Sequence, residues 1–325
     1  MKTLIGTKKI AVGLLAALAF AQAAFAQDYP SRRVTLLCGF AAGGPADIAA
    51  RLIADKLKDA LGQPVIVENR LGGGPILSWE STKTAPPDGY LLSLATFGIV
   101  SLKFTSKAYA LDPLKDLTYI GQTMTNAQPQ ILVASTNAPY KTPAEFVAFA
   151  RANPGKINFG TIGTTAAIEI SSLMHVAGFK VTTVPYNGSA QIEQALAAGS
   201  LDATITTYQS SKPNIDSGRT RIVGVGSRVR APEFPNVPAI SEAVPGFEMG
   251  TFWYGIVGPA NMPTDLVNRL NQAINAAMRQ PDMDTRLSAM GLKTATGSPA
   301  EFRAFAAREY ERFAKAYGLL GVQPQ

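Results

Sequence analysis

The chain has 325 residues, 46% hydrophobic and 16% charged, with 29 Gly and 22 Pro spread along it, which excludes a disordered or fibrous protein and leaves room for about two domains. A single Cys excludes an internal disulfide, and a single His, His175, excludes the common zinc constellations and leaves triad or Cys/His chemistry only if that residue takes part. The net charge of +7 is partly a property of the first 26 residues: taking their three lysines from the 30 basic side chains leaves 27 against 23 acidic ones, with no Lys/Arg run for nucleic acid and a mild positive field suited to small anions.

The first segment reads as a signal peptide, residues 1–26. Lys2, Lys8 and Lys9 are its positive region, Ile10 to Phe20 its apolar region, and Ala24-Phe25-Ala26 its cleavage site, so the expectation is export to the periplasm with cleavage after Ala26. Next, Val34 to Phe40 predicts a buried strand, which makes Cys38 a small core thiol. It ends in Ala41-Ala42-Gly43-Gly44-Pro45, and Ile48, Leu52, Ile53 and Leu57 then recur at helical spacing up to Gly62. Val65 to Val67, Pro75 to Lys83 and Tyr90 to Ala95 predict strand, helix and strand. The alternation restarts beyond residue 127, with strands at Gln130 to Ala134, Ile157 to Gly160, Val181 to Pro185, Ala203 to Thr206 and Ile222 to Gly226. Helices fall between them at Pro143 to Ala152, from Gly163-Thr164-Thr165 to Ala177, and at Ala190 to Ala198, so a second parallel sheet is expected.

After the Pro-rich stretch Pro232 to Pro245, Thr251 to Val257 predicts a strand, followed by helices at Thr264 to Arg279, Asp282 to Met290 and Pro299 to Tyr317. These helices have no sheet of their own and would pack back on the first domain. The expected division is lobe 1 at 27–126 plus 252–325 and lobe 2 at 127–251, with Gly121 and Gly250 absorbing hinge motion near the crossings. Ligands of open α/β sheets sit outside the carboxyl ends of the strands, where the Gly-rich turns fall. The candidate site therefore pairs Phe40, Ala41, Ala42, Gly43, Gly44 and Asp47 with Thr161, Gly163, Thr164 and Thr165, two strand-to-helix turns whose N–H groups suit an anion. As ordinary turns they would need Gly only for a positive φ, with Asp47 stabilising a first helical turn. Trp79 and Trp253 read as core or hinge packing, Tyr254 likewise, His175 as a helix residue, and Arg303, Arg308, Glu309, Glu311 and Arg312 as a solvated helix face.

Several strings, in order, resemble a known family: Tyr29-Pro30-Ser31-Arg32, Phe40 to Asp47, Leu61-Gly62-Gln63-Pro64-Val65-Ile66-Val67-Glu68-Asn69-Arg70, Ala85-Pro86-Pro87-Asp88-Gly89-Tyr90, Asn153 to Phe159 and Val184-Pro185-Tyr186-Asn187-Gly188. The sequence from about Tyr29 to Gly321 is similar to the Bug receptors, the extracytoplasmic solute-binding proteins of tripartite tricarboxylate transporters. The resemblance implies an α/β, two-lobe periplasmic binding protein of type II topology with its ligand cleft between the lobes. It implies no enzyme activity, no catalytic residue, no metal and no cofactor, a small organic carboxylate as ligand, a monomer, and integral membrane transporter subunits as partners. A ligand sensor serving a periplasmic signalling domain is the alternative, and a nucleotide-using enzyme is disfavoured by the absence of G-x-G-x-x-G, P-loop, G-x-S-x-G and H-E-x-x-H patterns. One ligand carboxylate is expected between Phe40 to Asp47 and Thr161 to Thr165, with Tyr186, Asn187 and Gly188 beside it. Departures from the family pattern at Ala42, Pro45, Ile76, Ala166 to Ile168 and Thr206 each remove a polar or acidic group. They point away from an amino acid and toward one carboxylate on an apolar body.

Overall fold

The computed structural model describes residues 29–186, 188–321 and 324, with the side chains of 162–165, 319 and 320 outside that description. The predicted leader and Asn187 lie outside the described residues.

The first β-strand, β1 (Val34–Cys38), is flanked in parallel by β2 (Val65–Asn69) and β3 (Leu91–Thr96), and helices α1 (Pro45–Leu61) and α2 (Ile76–Lys83) join them. Helix α1 is set by its sequence: Gly44 and Pro45 open it, Ala49, Ala50, Ile53 and Leu57 recur on its buried face, and Gly62 closes it at φ 68°. A short helix, α3 (Gly98–Ser101), follows β3, and β4 (Leu117–Asn126), a strand missing from the sequence reading, leads to the crossing.

The chain next forms β5 (Ile131–Ser135), α4 (Pro143–Ala152), β6 (Asn158–Ile162), α5 (Gly163–Ala177), β7 (Thr182–Tyr186), α6 (Ser189–Ala197) and β8 (Ala203–Thr206). Helix α7 (Tyr208–Asp216), β9 (Thr220–Val225) and α8 (Ile240–Ala243) complete this part. It returns through β10 (Trp253–Pro259) and ends with α9 (Thr264–Met278), α10 (Pro281–Ser288), β11 (Leu292–Thr294) and α11 (Pro299–Leu320). Helix α11 opens with a capping box in which Ser298 and Glu301 satisfy each other's N–H groups.

Two sheets result, ordered β11-β4-β10-β3-β1-β2 and β7-β6-β8-β5-β9. Apart from β11, both share one pattern, with a single antiparallel strand inserted between the third and fourth parallel ones. These inserted strands, β10 and β5, are the ones formed as the chain arrives from the other sheet. This corrects the expectation of a purely parallel second sheet: a chain arriving at the carboxyl ends of existing strands can only run back against them. The topology is the type II arrangement of periplasmic binding proteins.

The same geometry locates the cleft. Tyr254, at the start of β10, pairs with Thr96 at the end of β3, while Ile131, at the start of β5, pairs with Thr206 at the end of β8 and Val225 at the end of β9. The carboxyl ends of the parallel strands in both sheets thus gather beside the crossings. Helices α9 and α1 cover one face of the first sheet through a shared core that includes Ile53, Leu270 and Ile274.

The two glycines assigned to hinge motion serve close packing. A Cβ on Gly121 would press on Ile274 and Asn271, and one on Gly250 would run into the Arg312 guanidinium. The reading of Arg312 and Glu309 as solvated is also corrected: Glu309 is buried and Arg312 is half-buried, because α5 of the second sheet lies against this side of α11.

Candidate functional site

The turn after β1 is fastened from below. Asp47, 2% exposed, accepts the Gly43 N–H at 2.9 Å, the Arg51 Nε–H at 2.9 Å and the Asn69 Nδ2–H at 2.8 Å, and Asn69 also donates to the Phe40 carbonyl at 3.0 Å. The hydrogen bond from Arg51 is the main reason that the Asp47 carboxyl is held down at about 2. Its carboxylate points into this network, so any contact of Asp47 with ligand would be through its N–H.

Gly43 stands at φ 78°, with nothing within 4 Å of a Cβ placed there; the turn requires Gly for its backbone, not for the space above it. Its N–H is spent on Asp47 and that of Gly44 on the Ala41 carbonyl at 3.2 Å. Pro45 has no N–H, and the N–H groups of Ala41, Ala42, Ala46 and Asp47 have no acceptor among the described residues. These four remain available to an anion at the uncapped start of α1.

A cavity of about 420 Å³ lies beside this turn, over the carboxyl ends of β1 and β3. Phe40, Phe97, Phe252, Tyr254 and Tyr317 give it an aromatic wall, with Leu102 beside them, and no charged side chain among the described residues lines it. Tyr254 is 2% exposed, its hydroxyl has no hydrogen-bond partner among the described residues, and burial pushes it up to about 12, so it is a neutral donor in an apolar wall. A second cavity, about 440 Å³, shares Phe97 and Phe252 with the first and reaches Gln130, Ala166 and Thr207 on the side of the second sheet. The two shared rings stand 5.5 Å apart and tilted at 55°. Its one charged wall residue, Arg312, is held by Glu169 at 3.0 Å and Glu309 at 3.3 Å.

The predicted residues are brought together in part. Phe40 lines the first cavity, and Ala166, directly after the predicted Thr161 to Thr165 turn, lines the second. Thr161 is 5% exposed at the end of β6, while the side chains of Gly163, Thr164 and Thr165 lie outside the described residues, as does Asn187. Thr206 ends β8 beside Thr207, a wall residue of the second cavity. Tyr186 ends β7 and packs against the second sheet's own apolar cluster, with Gly188 leading into α6. Sequence reading missed Thr96, Phe97 and Phe252. The signal was present, since Thr96-Phe97-Gly98 is a third turn at a strand's carboxyl end.

Trp79 is a core residue, its indole N–H donating to the Leu94 carbonyl at 2.9 Å, and Cys38 is fully buried. His175 is exposed on α5. Among the described residues no three His, Cys, Asp or Glu side chains gather as a metal site would need, and no helix is long and apolar enough to cross a membrane.

The chain matches the tripartite tricarboxylate transporter family receptor TctC over residues 49–319. A UPF0065 protein encoded in the tcbD-tcbE intergenic region of Pseudomonas sp. (strain P51) is 33% identical over 318 residues, 96% of this chain and 94% of that one. An R. palustris protein solved with adipate is 29% identical at a TM-score of 0.68, covering 92% of this chain and 100% of that chain. MatC from Rhodopseudomonas palustris, solved with malate, is also 29% identical, at a TM-score of 0.64, covering 89% of this chain and 100% of that chain. Family and fold are those of periplasmic solute-binding receptors for carboxylates, and the chain belongs to the TctC family of tripartite tricarboxylate transporter receptors.

Proposed function

We propose that this receptor captures an organic acid with one carboxylate and an apolar body, and hands it, as a monomer, to integral membrane transporter subunits. The carboxylate is met by the turn from Phe40 to Asp47, through the N–H groups of Ala41, Ala42, Ala46 and Asp47, and by Thr161, Gly163, Thr164 and Thr165 across the cleft. Tyr186, Asn187, Gly188 and Thr206 stand on the second side. The lobes are 27–126 plus 252–325 and 127–251, and the leader is removed after Ala26.

One observation carries this reading: the two cavities that share Phe97 and Phe252 have aromatic walls and a single charged wall residue, already neutralised by two acids. A second ligand carboxylate placed there would be desolvated without a free counter-ion. Relatives solved with adipate and malate hold dicarboxylates, which makes the comparison direct.

The test is a thermal-shift panel of the mature protein with aromatic and aliphatic monocarboxylates, adipate, malate, citrate, amino acids, sugars and nucleotides. A ligand at 100 times its Kd adds about 2.7 kcal/mol to the folded state. Monocarboxylates with apolar bodies should give the largest shifts. Stabilisation by sugars or nucleotides and by no acid would overturn the receptor reading, and larger shifts with malate or citrate would overturn the monocarboxylate assignment.

A further inference from the structure

The charged group that joins the two sheets borders the second cavity, where Arg312, Gly250 and Gln130 form part of the wall and Glu169 lies behind them. Glu169, on α5 and 1% exposed, accepts from Arg312 of α11 at 3.0 Å and from the Gly250 N–H, in the returning crossing, at 2.9 Å. The same Gly250 peptide is gripped from its other side, where its carbonyl accepts the Gln130 Nε2–H at 2.8 Å. Gln130 belongs to the outgoing crossing, and its own carbonyl accepts the Gly226 N–H at 2.8 Å. Both crossings, the last helix and α5 therefore meet at one peptide.

The glycine is part of the device, because a Cβ on residue 250 would run into the Arg312 guanidinium and lie 2.9 Å from Glu169 Oε1. Next to Glu169, Ile168 packs in the same apolar cluster as Phe302, Phe313 and Tyr317. Helix α5, which starts at the predicted carboxylate turn of the second sheet, is thus pinned to the first sheet's last helix one to two turns from that turn. Arg312 is further compensated by Glu309, which leaves its charge satisfied without a ligand.

We propose that Glu169 is the positioning residue of the hinge, fixing through Arg312 and Gly250 where α5 stands relative to the first sheet. It fastens the α5 side of the cleft in one place, so that opening and closing are a rotation about this contact instead of a free swing on two crossing strands. Buried ion pairs are poor sources of net stability but select one arrangement where several would pack, and the location of this one suits that role. The inference concerns the lobes' relative geometry and does not depend on which acid is bound.

The experiment therefore needs no ligand. Spin labels at Asp59→Cys, in α1 against the first sheet, and Lys156→Cys, just before β6 of the second, both exposed, report the distance between them, and the native Cys38 is too buried to take label. Glu169→Gln keeps an acceptor for Gly250 but loses the charge, and Gly250→Ala displaces Arg312 without removing any charge. Both should broaden the distance distribution at least twofold relative to the parent, at temperatures well below melting. The double variant Glu169→Gln/Arg312→Gln removes the charge imbalance that could unfold a single Arg312 variant, and should regain thermal stability while keeping the broad distribution. Unchanged distributions in folded Glu169→Gln and Gly250→Ala proteins, with only a lower Tm, would overturn the proposal and reduce the contact to a local brace.

Discussion

Gly43 gives its N–H to Asp47 at 2.9 Å, so the turn beside the aromatic cavity is tied to its own helix before any ligand arrives. Arg51 reinforces the tie, and its hydrogen bond is the largest cause holding the Asp47 carboxyl near 2, against an ordinary value close to 4. An acid depressed in the folded state contributes stability that is present above the ordinary value and is lost as the pH falls through the folded one. Asp47→Asn should therefore cost about 1 kcal/mol at pH 7, discounted because Arg51 stands half in solvent. The difference between parent and variant should shrink as the pH falls from about 4 toward 2. Urea unfolding across that range checks it, and a pH-independent difference would remove the charge from the explanation.

Gly43→Val tests the turn itself. The residue sits at φ 78° with open space around its Cα, so the variant meets no wall but pays the left-handed penalty of roughly 1–2 kcal/mol. The chain should fold, while the turn relaxes and moves the N–H groups of Ala41 and Ala42. Calorimetric titration with the strongest carboxylate from the thermal panel should show binding lost in Gly43→Val and weakened by about 1 kcal/mol in Thr164→Ala. Equal affinities in parent and Gly43→Val would move the carboxylate away from this turn.

How far the sequence carried this reading depended on whether a feature was local. The helix at Pro143–Ala152 was legible to the residue because Thr142, Pro143 and Glu145 mark its start and Asn153-Pro154-Gly155 its end. The turn at Gly43 and Gly44 was equally plain. By contrast, β4 mixes polar and apolar residues without clean alternation, as a strand flanked by β10 and β11 and covered by α9 and α11 can. Arg312 was misplaced for a different reason: its own helix gives no hint that α5, some 140 positions earlier, will cover it with Glu169. Phe252 joins the site only because β10 is inserted beside β3, which brings its ring next to Phe97.

That pair of rings supplies the third prediction. Phe97 and Phe252 belong to the walls of both cavities, so an apolar ligand body that lies between the sheets has to touch them. Removing one buried ring should cost about 1.5–3 kcal/mol of affinity. Phe252→Ala should do so for an aromatic or long-chain acid and have a much smaller effect on acetate, whose carboxylate fills only the turn. The comparison is one of calorimetric affinities; a loss of the same size for both acids would mean that the ring only supports the backbone.

The mature chain's first residue is a fourth. Tyr29 donates its hydroxyl to the Gly89 carbonyl at 2.7 Å, and the Ser31 N–H donates to the Tyr90 hydroxyl at 3.0 Å, so folded contacts are present three residues after Ala26. Intact-mass measurement of protein recovered from the periplasm should give a chain beginning at Gln27. A mass that retains any of residues 1–26 would move the cleavage site.

Closure is the fifth, and it follows from the proposed capture of one carboxylate from both sides of the cleft. An acid that touches the Ala41-Ala42 turn, which joins the first sheet, and the region of Thr161 to Thr165, which joins the second, binds a closed form better than an open one. Only that difference in affinity can shift the equilibrium. A hundredfold preference for the closed form supplies about 2.7 kcal/mol, enough to turn a minor closed population into the dominant one. Small-angle scattering of the parent protein should then show a smaller radius of gyration with the acid than without it. Changing Thr161, Thr164 and Thr165 together to Ala should leave the free protein's curve unaltered and abolish the ligand-induced compaction. A tightly bound acid that leaves the curve of the parent unchanged would mean that the pocket is rigid and that the membrane partner recognises the acid itself, since no differential contact would then exist to close the cleft.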